Sequence, residues 1–203
     1  MVIYLVIIII INIIIILNYT SYKNGNWFYI LRKNPDNKMK IFDLSYMYLP
    51  KLIIDDKYIN ILNWFFTILP FFPFIFFNVE NKFKLFIEMI DYIAPVMLIR
   101  AITINLTILP PDKKCNLKQF TYNECIQGHS YDKLFSGHLS LALIVMYIFW
   151  IHNIVSFYYI IVNIFLIIFY MLLFRLHYSN DLIFSFFVVY FVINENIKLS
   201  FYL

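Results

Sequence analysis

Charge and glycine are both scarce in this chain. Asp, Glu, Lys and Arg make up 14% of its 203 residues, and glycine occurs three times. The net charge of +4 is scattered along the sequence. The basic cluster that a nucleic-acid interface requires is therefore missing, and no nucleic-acid partner is expected. Cysteine is limited to Cys115 and Cys125, both in one polar stretch. A disulfide is open to them if that stretch faces an oxidising compartment, and their spacing matches no metal site. The apolar N-terminal run has neither a basic leading region nor a small-residue cleavage site, which argues against a signal peptide.

What is abundant is apolar surface. Hydrophobic residues make up 63% of the chain and aromatic residues 21%, against an apolar share of about half in soluble domains. That composition predicts an integral membrane protein. Residues 2–17 are almost pure Ile, Leu and Val, interrupted by Tyr4 and Asn12, and read as a first transmembrane helix of about 25 Å rise. Further spans are expected at 58–78, 83–109, 138–151, 154–174 and 177–194. Pro70 and Pro73 predict a kink in the second, and aromatic residues flank most of the runs, as at membrane interfaces. The expected fold is all-α, a single polytopic domain over 1–203 built as a six-transmembrane-helix bundle.

An even number of spans puts both termini on one side and the loops at 18–57, 110–135 and 175–176 on the other. His138 opens the fourth span and His177 the sixth, so both histidines fall at one membrane face. Asp181 lies a turn inside that face, and Arg100 about two turns below it on the third span. His177 and Asp181 are four residues apart, the spacing that places two side chains on one helix face. A carboxylate accepting from one ring nitrogen fixes the histidine tautomer and leaves the other nitrogen to act. Ionisable groups at the mouth of an apolar segment are functional candidates by default. The bland alternative is a histidine capped by a nearby acid at a helix start.

The residues before His138 add to this. Gly137 permits close backbone approach, Ser136 is suited to cap the helix that follows, and a helix N-terminus favours an anion such as phosphate. Two histidines, one backed by a carboxylate, are the set that phosphoryl transfer through a covalent intermediate needs. One attacks phosphorus; the other protonates the leaving alcohol and then deprotonates the incoming one. Arg100, Lys133 and Arg175 are candidates to neutralise charge on the phosphate oxygens. Their bland counterparts are an Arg100 paired with an acid on another span and a solvated Lys133. Glu88 and Asp91 lie about 13 to 18 Å of helix rise from Arg100, and are assigned structural roles at the opposite interface. His129 and His152 read as ordinary loop-end histidines, and Asn18-Tyr-Thr20 matches a glycosylation sequon close to the membrane.

Ser136-Gly137-His138 together with His177-Tyr-Ser-Asn-Asp181 resembles the active-site motifs of the type 2 phosphatidate phosphatase superfamily, and most closely its sphingolipid synthase branch. That branch, which includes sphingomyelin synthase and inositol phosphorylceramide synthase, also carries a segment like R-x-[IL]-T-x-x-x-T-x-L-P. Arg100-Ala-Ile-Thr-Ile-Asn-Leu-Thr-Ile-Leu-Pro110 fits it at every specified position. Phe42-Asp43 and Leu49-Pro50 are a weaker likeness to its first-loop element. The resemblance covers about residues 40–195 and implies a headgroup transferase with six transmembrane helices. His177, oriented by Asp181, would attack the phosphodiester of a glycerophospholipid donor and expel diacylglycerol. His138 would act as general acid, then as base on the primary hydroxyl of a ceramide acceptor. No metal or organic cofactor is implied. The location implied is the Golgi, another endomembrane or the plasma membrane.

Departures from the pattern are informative. Ser130-Tyr131-Asp132 stands where the synthases usually show Cys-Gly-Asp, and Leu139 replaces the threonine after the histidine. Met171 occupies the position, six before the second histidine, where the phosphatase branch carries arginine, and no Lys-x6-Arg-Pro element occurs. These absences argue against a phosphatase acting on a dianionic monoester and suit a singly charged diester. Hydrolysis by the same site, and a non-enzymatic lipid sensor or inactive relative, remain the alternatives. Sidedness is in conflict. Loops on the histidine side hold twelve Lys and Arg, and the other side three, Lys82, Lys84 and Lys198. The positive-inside rule puts the histidines in the cytosol, whereas the resemblance implies the lumenal or exoplasmic face.

Overall fold

The computed structural model describes residues 2–26, 43, 48–50, 52, 56–76, 81–107, 134–174 and 176–199. Every regular element among them is helical: α1 Val2–Asn26, α2 Asp56–Ile68, α3 Phe72–Phe76, α4 Lys82–Leu106, α5 Gly137–Ile151, α6 Phe157–Leu173 and α7 Ser179–Asn194. The chain is all-α in this sense. Among the described residues no helix is long and apolar enough to cross a membrane. The chain divides into two compact units, one of residues 1–42 and 97–135, the other of 43–96 and 136–203. Helix α4 runs from the second into the first.

In the first unit the C-terminal part of α1 packs on the C-terminal part of α4. The two helices are joined by polar side chains that bond the neighbouring helix's backbone. Ser21 donates to the Ile104 carbonyl at 2.9 Å, and Asn105 Nδ2 donates to the Leu17 carbonyl at 2.7 Å while also reaching Ala101 O at 2.8 Å. Ala101 and Ile104 are buried. Asn18, the asparagine of the sequon, is buried on α1.

The second unit is built around α5. Leu139, Ser140, Ala142, Ile144, Val145, Met146, Ile148 and Phe149 are all buried, and a helix apolar on every side is one enclosed by its neighbours. Helices α6 and α7 each bury a single stripe against the unit. In α6 it is Ile160, Asn163, Ile167, Tyr170 and Met171, and in α7 Asp181, Leu182, Ser185, Val189 and Val192. Leu139, Ala142, Ile167, Tyr170, Met171 and Leu182 form one core cluster, with Leu62 and Phe66 of α2 packed against it. Phe66 stacks on Tyr170 with centroids 4.2 Å apart. The expected kink in the second apolar run appears as a 3-10 turn between two helices. Helix α2 stops at Ile68, a 3-10 turn covers Leu69–Phe71, and α3 resumes at Phe72. Pro70 and Pro73 lack the N–H groups that a continuous helix needs there.

The far end of this unit is closed by polar contacts. Glu88 Oε2 meets His152 Nε2 at 2.8 Å, a contact the sequence reading did not anticipate. Tyr92 donates to Asn196 Oδ1 at 3.1 Å, and the Leu199 N–H reaches the Asp91 carbonyl at 3.4 Å. Lys198 Nζ lies 4.7 Å from the Tyr92 ring centroid. The hydrogen bond to Tyr92 raises the Lys198 pKa above its ordinary value. Asn153 and Asn196 make the left-handed turns that let the chain leave α5 and α7, a conformation asparagine tolerates better than most residues.

Candidate active site

The turn between α6 and α7 carries His177. The sequence spacing alone suggests His177 and Asp181 side by side on a helix, but α7 begins at Ser179, with Tyr178 as its N-cap. His177 therefore precedes the helix and Asp181 is its third residue. They meet because the Asp181 carboxylate reaches back over the helix start, as acidic residues at that position do in a capping box. Asp181 Oδ2 accepts from the Tyr178 backbone N–H at 2.9 Å and contacts His177 Nδ1 at 3.2 Å. One oxygen holds both the helix start and the ring. Both side chains are withdrawn from solvent, His177 to 11% and Asp181 to 2% exposure. With Nδ1 carrying the proton, the lone pair lies on Nε2.

His138 is half-buried in the first turn of α5, two residues after the N-cap. Ser136 caps that helix, its Oγ accepting from the Leu139 N–H at 3.3 Å, while its hydroxyl points at Met171 Sδ, 3.4 Å away. A second serine joins this cap to α7. Ser185 Oγ accepts from the Ser136 N–H at 2.9 Å and donates to the Asp181 carbonyl at 2.7 Å, with the Ser136 carbonyl also within 3.3 Å. Ser136 and Ser185 are both fully buried. The helix starts that carry His138 and the His177–Asp181 pair are thus locked in register by one hydroxyl.

A further carboxylate enters from the segment after α1. Asp43 Oδ2 accepts from the Ser179 N–H at 2.6 Å, and Oδ1 accepts from the Ser179 hydroxyl at 3.0 Å. Two carboxylates at one helix start suit the positive end of the helix dipole. Sequence reasoning named Asp43 only through the weak first-loop likeness and Ser179 only as a member of the His177–Asp181 motif, and missed Ser185. Ser185 was visible in principle, being four residues after Asp181 and so on its helix face.

Among the cationic candidates, Arg100 lies in the first unit, buried, with Nε donating to the Phe135 carbonyl at 3.3 Å. Lys133 and Arg175 fall outside the described residues, as do His129, Cys115 and Cys125. His152 is at the far end, with Glu88. The structure therefore places His138 on α5 and Asp181 on α7, with His177 in the turn before α7, and adds Asp43, Ser136, Ser179 and Ser185 around the two helix starts. Chemically, that group offers one histidine with a fixed tautomer, a second titratable ring on the adjoining helix start, and a rigid hydrogen-bonded support. Comparison with family models, with curated proteins and with solved structures found no match to this chain.

Proposed function

We propose that the chain is a polytopic membrane enzyme, a six-transmembrane-helix bundle that transfers a phospho-headgroup from a glycerophospholipid to ceramide. His177 Nε2 attacks phosphorus, the bond to the diacylglycerol oxygen breaks, and His138 gives that oxygen its proton. The resulting phosphohistidine is opened by the primary hydroxyl of ceramide. His138 takes the hydroxyl proton, the new P–O bond forms, and the P–N bond to His177 breaks. The observation that carries this reading is the buried Asp181 carboxylate on His177 Nδ1. It lies beside a helix start bearing His138, which Ser185 ties to the same turn. The fixed tautomer is what a nucleophilic imidazole requires. Met171, buried against Ser136 where the phosphatase branch carries arginine, favours a singly charged diester over a dianionic monoester.

The membrane part of the reading is supported by the outward faces of the helices. Helix α6 exposes Val162, Phe165, Leu166 and Phe169, and α7 exposes Ile183, Phe187, Tyr190 and Phe191. Apolar patches of this extent on a monomer mark a surface that something other than water covers. Helices α5, α6 and α7 have 15, 17 and 16 residues. As spans they would rise about 22–26 Å against a hydrocarbon core of about 30 Å, which local bilayer thinning would accommodate. In vesicles containing brominated phospholipid, the exposed Trp64 and Trp150 are expected to be quenched; unquenched tryptophan fluorescence refutes the embedding.

The function is tested by supplying labelled ceramide and a panel of donor phospholipids to the purified chain and reading products by mass spectrometry. Ceramide-dependent formation of a phosphosphingolipid is expected, abolished in His177→Ala, His138→Ala and Asp181→Asn. Headgroup release without ceramide makes the enzyme a hydrolase of the same site, and full activity in His177→Ala sinks the mechanism. The acting headgroup, choline, ethanolamine or inositol, is read from the same panel.

A further inference from the structure

Asp43 and Leu52, which precede α2 in the chain, each bond a residue on one side of His177. Asp43 binds Ser179 through both carboxylate oxygens, at 2.6 and 3.0 Å. The Leu52 N–H bonds the Leu173 carbonyl at 3.3 Å. Leu173 and Ser179, the residues they bond, lie on either side of His177. Asp43 is itself buried, 7% exposed, although it comes from 136 positions earlier in the chain than Ser179.

Starting a helix does not require this. Helices α5 and α6 each begin on a single local serine, Ser136 and Ser156, which is the ordinary way to satisfy a first-turn N–H. Helix α7 begins on Tyr178, whose N–H is taken by Asp181, and the next N–H is taken by Asp43. Two carboxylates thus grip consecutive peptide groups immediately after His177. If the Ser179 peptide tilts, Asp181 Oδ2 can no longer lie on both the Tyr178 N–H and the His177 ring. A bidentate acceptor restrains rotation of the group it binds, which a single hydrogen bond does not.

We propose that Asp43 is a positioning residue of the His177–Asp181 pair. Acting through the Ser179 N–H and hydroxyl, it sets the turn so that Asp181 meets Nδ1 and the lone pair stays on Nε2. The catalytic consequence rests on the phosphohistidine reading above; the structural claim does not.

The test uses the full chain labelled with 15N-histidine in detergent micelles, at a pH where the ring is neutral, with the His177 signals assigned by their loss in His177→Ala. In the unaltered chain the long-range proton–nitrogen pattern is expected to be that of a protonated Nδ1 and an unprotonated Nε2. In Asp43→Ala the two nitrogens move towards the averaged values of a mixed tautomer. Asp43→Asn restores the original pattern, since its amide still accepts from the Ser179 N–H. Ser179→Ala, losing one bond of two, lies between. If circular dichroism shows that Asp43→Ala does not fold, Ser179→Ala and Asp43→Asn decide: a shift in the first and none in the second support the proposal. An unchanged tautomer in every folded variant that removes a bond overturns it. In the transfer assay kcat is expected to fall about 10- to 100-fold in Asp43→Ala, with donor KM nearly unchanged and activity recovered in Asp43→Asn. An unaltered chain without transfer refutes the functional reading alone, and the spectra still decide the role of Asp43.

Discussion

Replacing Ser185 by alanine isolates the joint between α5 and α7. Three groups meet the Ser185 hydroxyl, and they are not equally affected by its loss. The Ser136 carbonyl keeps the Ser140 N–H at 3.1 Å and the Ser140 hydroxyl at 2.9 Å. The Asp181 carbonyl keeps the backbone N–H four residues on, by the ordinary helical pattern. The Ser136 N–H loses the acceptor it has at 2.9 Å, in a residue with no exposure to solvent. One buried donor is therefore left unsatisfied, at a cost of about 1–3 kcal/mol. Alanine is the better helix former and returns about 0.5 kcal/mol. The net loss is about 1.5 kcal/mol, which in a chain of this length lowers the midpoint of thermal unfolding by about 3–6 °C. Circular dichroism melts in detergent measure it, with Asn180→Ala, at an exposed position of the same helix, as the control for propensity. The reasoning fails if Ser185→Ala melts as high as Asn180→Ala. Transfer activity is expected to fall as well, since the same hydroxyl sets the register between the helix starts of His138 and Asp181.

Three further outcomes follow from the geometry. Asp181→Ala removes the acceptor of both Tyr178 N–H and His177 Nδ1, and is expected to destabilise by about 2–4 kcal/mol. Asp181→Asn keeps an amide oxygen there and loses only charge at the helix start, about 1 kcal/mol, so equal melting losses in the two variants would refute the assignment. Glu88→Gln breaks a pair whose histidine side chain is 39% exposed, and should change stability by no more than about 1 kcal/mol; a loss above that in denaturant titration would give this pair a larger part in the fold. Tyr92→Phe removes the bond to Asn196 and the hydroxyl beside Lys198, so amide hydrogen exchange at 197–199 should accelerate while the global melt stays nearly constant.

The positions of the helices follow closely from the sequence because long apolar runs bounded by Ser, Pro and Asn leave few alternatives. Ser136 before Gly137 announced the cap of α5, and Pro70 with Pro73 announced the interruption that separates α2 from α3. The start of α7 was harder to read. Apolar character resumes after Asp181, and periodicity does not separate a helix beginning at His177 from one beginning at Ser179. Asp181 fixes the start through the Tyr178 N–H, and Asp43, 136 positions away from Ser179, adds a grip on it that periodicity does not reveal. Ser185 was legible only in part: its spacing puts it on the Asp181 face, but a lone serine in an apolar helix usually bonds its own preceding turn. Only packing reveals that this one also bonds a neighbouring helix.

The bland and the functional readings of the His177–Asp181 pair are not competitors. Asp181 does cap its helix, through the Tyr178 N–H, and the same oxygen holds the ring. A carboxylate at the third helical position is favoured by the dipole and by an N–H it would bind in any case. The site thus acquires its orienting base without a buried charge that only catalysis would justify. It follows that removing Asp181 cannot separate the two roles, since both fail together. His138 can. The N-cap of α5 is Ser136, not His138. A His138→Ala chain that melts like the unaltered one yet fails to transfer a headgroup would assign the site its chemistry. If transfer persisted, the ring on α5 would have no part in the reaction, and a solvent-borne base would have to replace it.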